Sequence, residues 1–331
     1  MGEFGRFSGG MCLCHENFGS SVFDEQSPQD TDRKMTNEIE QKLEAIATEL
    51  QQAKRVLFIT GAGISADSGL PTYRGVGGLY NTEMTEEGYP IEQCLSASMF
   101  RVRPDITWKY MLRIGEAVIQ CQPNPAHKII AQWEKDFAKR GGKVVVFTQN
   151  IDGYHRLAGS ENVLEIHGSL EELCCTKCTW ETSLDLQVNN RPSLEERLKE
   201  YSQSSIPRCP KCNAVIRPRI VMFEEMLPRQ VLMQFEEEFD GGNGFDMVFS
   251  IGTSAMFPYI TEPVWAAIRC GKTTVEINPV AGELSHRVTY CLPLGAADAL
   301  TRLEMLGRVC TNLDQFYWNC YPSLWNGLRT T

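Results

Sequence analysis

Four cysteines and one glycine-rich turn are the residues whose types and spacing speak most directly of chemistry. Cys175 and Cys178 in "CTKC" and Cys209 and Cys212 in "CPKC" form two Cys-x-x-Cys pairs, separated by the segment 179–208. Each pair can present two thiolates to one Zn²⁺ at about 2.3 Å, and two pairs complete a closed tetrahedral site of the structural kind. Redox motifs or disulfides are the alternative, and they belong to an oxidising compartment that nothing else in the chain suggests. Cys174 also stands beside the first pair, but only Cys175 keeps the two-residue spacing to Cys178.

The turn is "GAGISADSGLPTYRG", Gly61 to Gly75, directly after the apolar run "VLFIT". Gly61, Ala62 and Gly63 make it tight and let backbone N–H groups approach a pyrophosphate, while the helix expected to come next points its positive end at the same anion. Taken alone, G-x-G-x-x-A fits a tight strand-to-helix turn without a ligand as well. An ordinary dinucleotide fingerprint places an acidic residue at the end of a second strand about 20 residues on. Here that region reads "GGLYNTEMTEEGYP", which predicts an inserted, mobile segment over a cofactor.

These residues need elements to hold them. Short apolar runs at Val56–Thr60, Val144–Thr148, Val163–Ile166, Met247–Ile251 and Thr274–Ile277 alternate with helical segments, the pattern of a parallel sheet covered by helices on both faces. They lead into "GAGIS", "QNIDG", "HGS", "GTSAMFP" and "NP", so small, amide-bearing or reactive residues recur at carboxyl ends of strands. In a doubly wound sheet those ends line the ligand crevice. Ile39, Leu43, Ile46 and Leu50 predict an amphipathic first helix over 37–52. Residues 1 to about 36, rich in Gly, Ser and acids, read as a disordered extension, and 311–331 as a tail beyond a catalytic domain spanning 37–310. A myristoylation signal at Gly2 is disfavoured by Arg6 where Ser or Thr belongs.

Composition narrows the function classes. The 331 residues are 42% hydrophobic and carry a net charge of −10, which allows a sizeable core and opposes a dominant nucleic-acid surface. No apolar run reaches the roughly 18 residues needed to cross a bilayer, and no signal peptide opens the chain. The expectation is an intracellular, cytoplasmic or nuclear, protein that binds neither membrane nor nucleic acid.

Taken together and in order, "GAGISADSGLPTYRG", "TQNIDGYHRLAG", "HGS", the paired cysteines, "GTSAMFP" and "INP" resemble the sirtuins, the NAD-dependent protein lysine deacylases, over about Arg55 to Leu303. The resemblance implies an α/β fold: a Rossmann-like doubly wound parallel sheet with a small zinc-binding module, about 170–220, and a helical insertion. It implies NAD and Zn as cofactors and acyl-lysine proteins as partners. The implied cofactor residues are Gly61, Ala62, Gly63, Ser65, Thr72, Tyr73 and Arg74; Gln149, Asn150, Ile151 and Asp152 around the nicotinamide and its ribose; and Gly252, Thr253, Ser254, Asn278, Pro279 and Ala296 around the adenosine half. At 72–74 this chain has "TYR" where the family often has Asp-Phe-Arg. His167 matches the base that activates a ribose hydroxyl, a role suited to an imidazole; Asn150 would orient the ribose or a water, and Asp152 would hold the carboxamide. Among the other histidines, His127 reads as structural or capping and His155 as packing or support. An ADP-ribosyltransferase or NAD hydrolase using the same cradle, and a catalytically silent NAD-sensing module, are the competing readings.

Substrate contacts come from the same resemblance. The family binds peptide by strand addition, which here falls on Val221, Met222 and Phe223, with Glu224 where a glycine is usual and a preference for basic flanking residues as the consequence. Sirtuins that prefer succinyl or malonyl lysine resemble one another in a Tyr-x-x-Arg pair, and Tyr110 and Arg113 have that spacing. Gapless counting from "NPAH" instead puts Met111 and Ile114 at the acyl-reading positions, and a one-residue shift on a helix turns a side chain by about 100°. The wall is therefore expected to be apolar and the acyl group uncharged, acetyl foremost.

Overall fold

The computed structural model describes residues 28–71, 84–184, 194–199, 206–240 and 244–307. The chain divides at Glu38 into two compact units; the described part of the first is helical. Helix α1 runs Pro28–Gln52, so it begins nine positions earlier than the apolar spacing indicates and enters the stretch expected to be disordered. The correction has a local cause: Pro28 suits the first helical position, and neither glycine nor a second proline interrupts the stretch from there to Gln52. Residues 1–27 lie outside the described residues, as do Thr72, Tyr73 and Arg74, most of the inserted loop, and the expected C-terminal tail.

From Ile39 onward the architecture rests on one sheet. Strands β1 (Arg55–Thr60), β2 (Lys143–Thr148), β3 (Val163–Glu165), β7 (Met247–Ile251), β8 (Thr273–Ile277) and β9 (Tyr290–Leu292) are all parallel and lie in the order β3-β2-β1-β7-β8-β9. Counted within this sheet the order is 3-2-1-4-5-6, the dinucleotide-binding arrangement, whose strand order reverses between β1 and β7. All five strands expected from the apolar runs are present to within a residue or so at their ends; the short β9 is additional.

The sheet is buried on both faces because its residues alternate between two apolar layers. Val56, Phe58, Val144, Val146, Phe249 and Val275 point to one, with Leu43, Ile46 and Leu50 of α1, helix α5 (Pro125–Lys139) and the closing helix 296–307. Leu57, Ile59, Val145, Phe147 and Val248 point to the other, beneath α8 (Arg229–Asp240) and α9 (Pro258–Arg269). Each fully buried aliphatic or aromatic side chain contributes about 1.5–3 kcal/mol relative to exposure, enough to fix the strand ends on which the site is built.

A second, three-stranded antiparallel sheet, β5-β4-β6, is made by β4 (Gly168–Cys175), β5 (Glu181–Ser183) and β6 (Ile216–Ile220). Its core is shared with short helices α2 (Ile91–Cys94) and α3 (Ala97–Val102) and with α4 (Pro104–Gln120) through Trp108, Met111, Leu173 and Ile216. The Trp108 indole donates to the Ile216 carbonyl at 3.0 Å. Helices α6 (Tyr154–Leu157) and α7 (Leu194–Leu198) are single turns. Among the described residues no helix is long and apolar enough to cross a membrane.

Candidate active site

Where the strand order reverses, the loops after β1 and β7 meet backbone to backbone. The Gly61 N–H donates to the Ile251 carbonyl at 3.0 Å and the Gly63 N–H to the Gly252 carbonyl at 2.8 Å. A Cβ on Gly63 would lie 2.6 Å from Gly252 Cα, and one on Gly61 2.7 Å from the Gly252 oxygen. The approach of the two loops therefore requires these glycines on packing grounds alone, alongside the phosphate-cradle role expected from the sequence. The segment after Gly61 also differs from expectation: a 3₁₀ stretch, Ala62–Ser68, closed by Gly69 at φ 90°, stands where an α-helix is expected. Asp67 on it accepts the Ala297 N–H at 3.0 Å, tying the loop to the closing helix.

Beside this junction is a cavity of about 40 Å³ lined by Ala62, Ser65, Leu70, Pro71, Ile114, Val118, Asn150, Ile151 and Asp152 among others. The Asn150 amide donates to the Gly61 carbonyl at 3.1 Å and to Ser65 Oγ at 3.3 Å, while its buried Oδ1 has no partner among the described residues. Ser65 donates to Asp152 Oδ2 at 2.8 Å, and Asp152 Oδ1 accepts the Tyr154 N–H at 2.9 Å. Desolvation pushes the Asp152 carboxyl up from the usual carboxylate range, against those two hydrogen bonds.

Behind them lies a layer the sequence did not resolve. His127 is fully buried on α5, with Nε2 3.4 Å from Ser65 Oγ. It does not cap the helix; Asn124 does, accepting the Ala126 N–H at 2.9 Å. His155 is equally buried, with Nε2 2.9 Å from Thr60 Oγ1, and its ring meets that of His127 edge-on at 5.0 Å. Burial lowers His155 to about 3 and His127 well below its ordinary value, so both are neutral at pH 7. The only sequence signal for this layer is the polar termination of β1 and β2 by Thr60 and Thr148, whose hydroxyls bond at 2.8 Å.

Across the crevice, His167 comes after β3 and is half-buried. Its Nδ1 is 2.9 Å from the Gln149 carbonyl and its Nε2 2.8 Å from the Tyr259 hydroxyl. A carbonyl can only accept, so Nδ1 carries the proton and Nε2 the lone pair. Desolvation lowers the imidazole below its ordinary value while the Gln149 bond opposes that shift. The Gln149 side chain donates to Thr253 Oγ1 at 2.8 Å, and the Asn278 amide to the Thr253 carbonyl at 3.2 Å, linking the ends of β2, β7 and β8. Ser254 and Pro279 are exposed on the same rim. Ala296 is buried in the sheet core at the start of the closing helix, so it does not present a side chain to the crevice.

The cysteine cluster fits zinc on its own geometry. All four sulfurs lie within 4.8 Å of one another, with Cys175–Cys212 at 3.4 Å and Cys178–Cys209 at 3.6 Å. Tetrahedral thiolates at about 2.3 Å from a common ion are about 3.8 Å apart, so the sulfurs stand close to the required edges. The Lys177 and Cys178 N–H groups both point at Cys175 Sγ at 3.3 Å, a turn that stabilises a thiolate. Cys174 lies outside the cluster.

The expected substrate residues separate. Ile114 lines the cavity, whereas Met111, three positions away on α4, is buried in the small module's core and does not. Positions three apart on a helix differ by about 60° in direction, so Ile114 reaches the cavity while still packing against the core that buries Met111. The Tyr110 hydroxyl donates to Glu87, and Arg113 pairs with Glu86 at 2.8 Å, so both are engaged away from the cavity. In the peptide segment, the Val221 N–H donates to the His167 carbonyl at 2.9 Å, and Phe223 uses both its N–H, to Leu95 at 3.2 Å, and its carbonyl, from Ala97 at 3.0 Å. Met222 is buried. The Phe223 N–H is thus already engaged within the protein, while its carbonyl keeps a second lone pair. Glu224 adopts φ 72° and accepts hydrogen bonds from the Ser98 N–H and hydroxyl, each at 3.1 Å, so its charge is partly used in holding α3 rather than standing free for a substrate.

A doubly wound sheet with a nucleotide crevice at its reversal point and a four-cysteine module beside it defines a class, and comparison with known proteins places the chain within it. Residues 61–257 match the model of the Sir2 family. An NAD-dependent protein deacylase 2 of Pseudomonas aeruginosa is 44% identical over 78% of this chain and 94% of its own length, and an NAD-dependent protein deacylase of Pyrococcus abyssi is 32% identical over 78% and 95%. Among solved structures, a Sir2 homologue–NAD complex superposes with a TM-score of 0.65 at 30% identity, covering 80% of this chain and 94% of that one. A Sir2 complex with a p53 peptide and NAD⁺ gives 0.65 at 26% identity over 80% and 98%. The chain belongs to the Sir2 family.

Proposed function

We infer that this protein is an NAD-dependent protein lysine deacylase, acting foremost on acetyl-lysine. The observation that carries the reading is the presence, on consecutive loops after the sheet strands, of a neutral imidazole whose Nε2 bears the lone pair and of a buried Asn150 oxygen that no group among the described residues satisfies. A buried acceptor without a partner costs about 1–3 kcal/mol, and a ligand donor in the cavity relieves it.

NAD, when bound, supplies the C1′ carbon attacked by the acyl oxygen and the ribose hydroxyls that take over the acyl group. The residues of this chain do the rest. Asn150 and Asp152 accept from the ligand's hydroxyl or carboxamide N–H groups, with Ser65 fixing the orientation of both. Leu70, Pro71, Ile114 and Val118 wall the cavity against water. His167 takes a proton at Nε2, and the Gln149 carbonyl, by accepting from Nδ1–H, stabilises the imidazolium that results. Gly252, Thr253, Ser254, Asn278 and Pro279 serve the other end of the cofactor. Cys175, Cys178, Cys209 and Cys212 hold a structural zinc that organises the module carrying Val221 and Phe223. The catalytic domain spans about residues 37–310, and acyl-lysine proteins are the substrates.

The deciding experiment incubates the protein with NAD and matched acetyl- and succinyl-lysine peptides and follows O-acyl-ADP-ribose by mass. Acetyl turnover should exceed succinyl turnover, because Tyr110 and Arg113 are engaged by Glu87 and Glu86. Nicotinamide release without acyl transfer would instead mark an NAD hydrolase or ADP-ribosyltransferase.

A further inference from the structure

Tyr259 has no part in the sequence-derived site or in the deacylation steps, yet its hydroxyl lies 2.8 Å from Nε2 of His167. Because Nδ1 is engaged by the Gln149 carbonyl, Nε2 is the only nitrogen through which this imidazole can accept a proton. A ring nitrogen has a single in-plane lone pair, so one donor fills it. While Tyr259 donates there, a substrate hydroxyl cannot use the base.

We propose that Tyr259 is a positioning residue that caps Nε2 of His167 and releases it only as cofactor and acyl-lysine fill the crevice. The proposal rests on the deacylase reading for its consequence, but the cap itself is a property of the protein alone. Burial raises the phenol to about 12, so its hydroxyl remains a donor throughout the physiological range. Tyr259 stands at the start of α9, beyond a loop that holds two left-handed residues, Gly252 at φ 59° and Ala255 at φ 51°. Its ring stacks on Phe257 at 5.4 Å and 13°, and Phe257 is 44% and Met256 59% exposed. The Phe257 ring is an apolar face beside the capping phenol, suited to the methylene stem of a lysine. Covering it moves the ring on which the phenol rests, and that couples substrate seating to uncapping. The competing role, a phenol that relays the proton between substrate and His167, uses the same contact but has the opposite consequence when the hydroxyl is removed.

The test is Tyr259→Phe, which keeps the ring and deletes the donor. Diethyl pyrocarbonate attacks the bare nitrogen of a neutral imidazole, and peptide mapping by mass gives the rate at His167 relative to exposed His286 in the same sample. The cap predicts a rise on the order of fivefold in that ratio, the worth of one net hydrogen bond. It further predicts that kcat/KM for an acetyl peptide rises by up to the same factor, because the competent state no longer has to be freed. An unchanged carbethoxylation ratio would remove the cap. A fall in kcat/KM on the order of 10²-fold would make Tyr259 a proton carrier instead. If wild-type protein formed no O-acyl-ADP-ribose, the deacylase reading would fail while the carbethoxylation ratio still reported on the cap.

Discussion

Replacing Gly252 with Ala tests how tightly the nucleotide crevice depends on two loops touching. Gly252 lies at φ 59°, a region that costs a residue with a Cβ about 1–2 kcal/mol, and the added carbon would sit 2.4 Å from both Gly63 C and Ile64 N. These are backbone atoms, so no rotamer relieves the overlap; the Gly63–Ile64 chain must retreat by about 1 Å to reach ordinary contact. That retreat breaks the 2.8 Å bond from the Gly63 N–H to the Gly252 carbonyl, worth about 1–3 kcal/mol when a buried group is left unmet. Together these losses come to about 3 kcal/mol, or a fall of about 1 M in the urea midpoint for a slope of roughly 3 kcal/mol/M. Urea unfolding followed by tryptophan fluorescence reads the midpoint, and calorimetry should show weakened NAD binding. A midpoint within about 0.3 M of wild type, about 1 kcal/mol at that slope, would refute the reasoning, since two backbones in such contact cannot admit a methyl group freely.

His167→Ala should reduce deacylation by on the order of 10²–10⁴-fold, with NAD affinity in calorimetry largely kept; near-normal turnover would remove the base assignment. Cys209→Ser should lower bound zinc in metal analysis and unfold the small module, because a structural site supplies folding free energy, whereas a folded wild type free of zinc would contradict the cluster's role. Burial holds His155 at about 3 against an ordinary 6.5, so the unfolded chain takes up a proton that the folded one refuses. Stability is therefore full above about 6.5 and falls as pH drops toward 3, by about 1.4 kcal/mol per unit for this residue. Urea midpoints at pH 7 and pH 5 measure the loss, and equal midpoints would argue against a neutral buried pair.

The sheet was legible because five apolar runs of strand length alternate with helical segments, and the zinc cluster because paired cysteines are self-contained. The hidden features depend on partners far along the chain. The packing demand on Gly61 and Gly63 shows only once Gly252 is seen pressed against them, and nothing local to Phe257-Pro258-Tyr259 announces a hydrogen bond to His167. His127 and His155 come from different helices and acquire meaning only when their rings meet. Register on α4 was half legible: the turning of Tyr110 and Arg113 away from the cavity comes from a single residue's shift, but the parting of Met111 from Ile114 needed the module's core to be placed. Glu224 shows the reverse case, a side chain read as free charge that is spent on Ser98.

The strand order has a consequence for biosynthesis. β1 is the central strand, and its two neighbours, β2 and β7, are made long after it; Asp67 in its loop finds the Ala297 N–H 230 positions later. At roughly 5–20 residues per second of translation, β1 waits on the order of ten seconds or more before β7 emerges from the ribosome. Through that interval Val56–Ile59, an unbroken apolar segment, has an open edge of the kind that recruits other chains. Nascent protein is thus most vulnerable to aggregation when most of it has already been synthesised, and chaperone demand should peak late in translation and end abruptly when β7 docks.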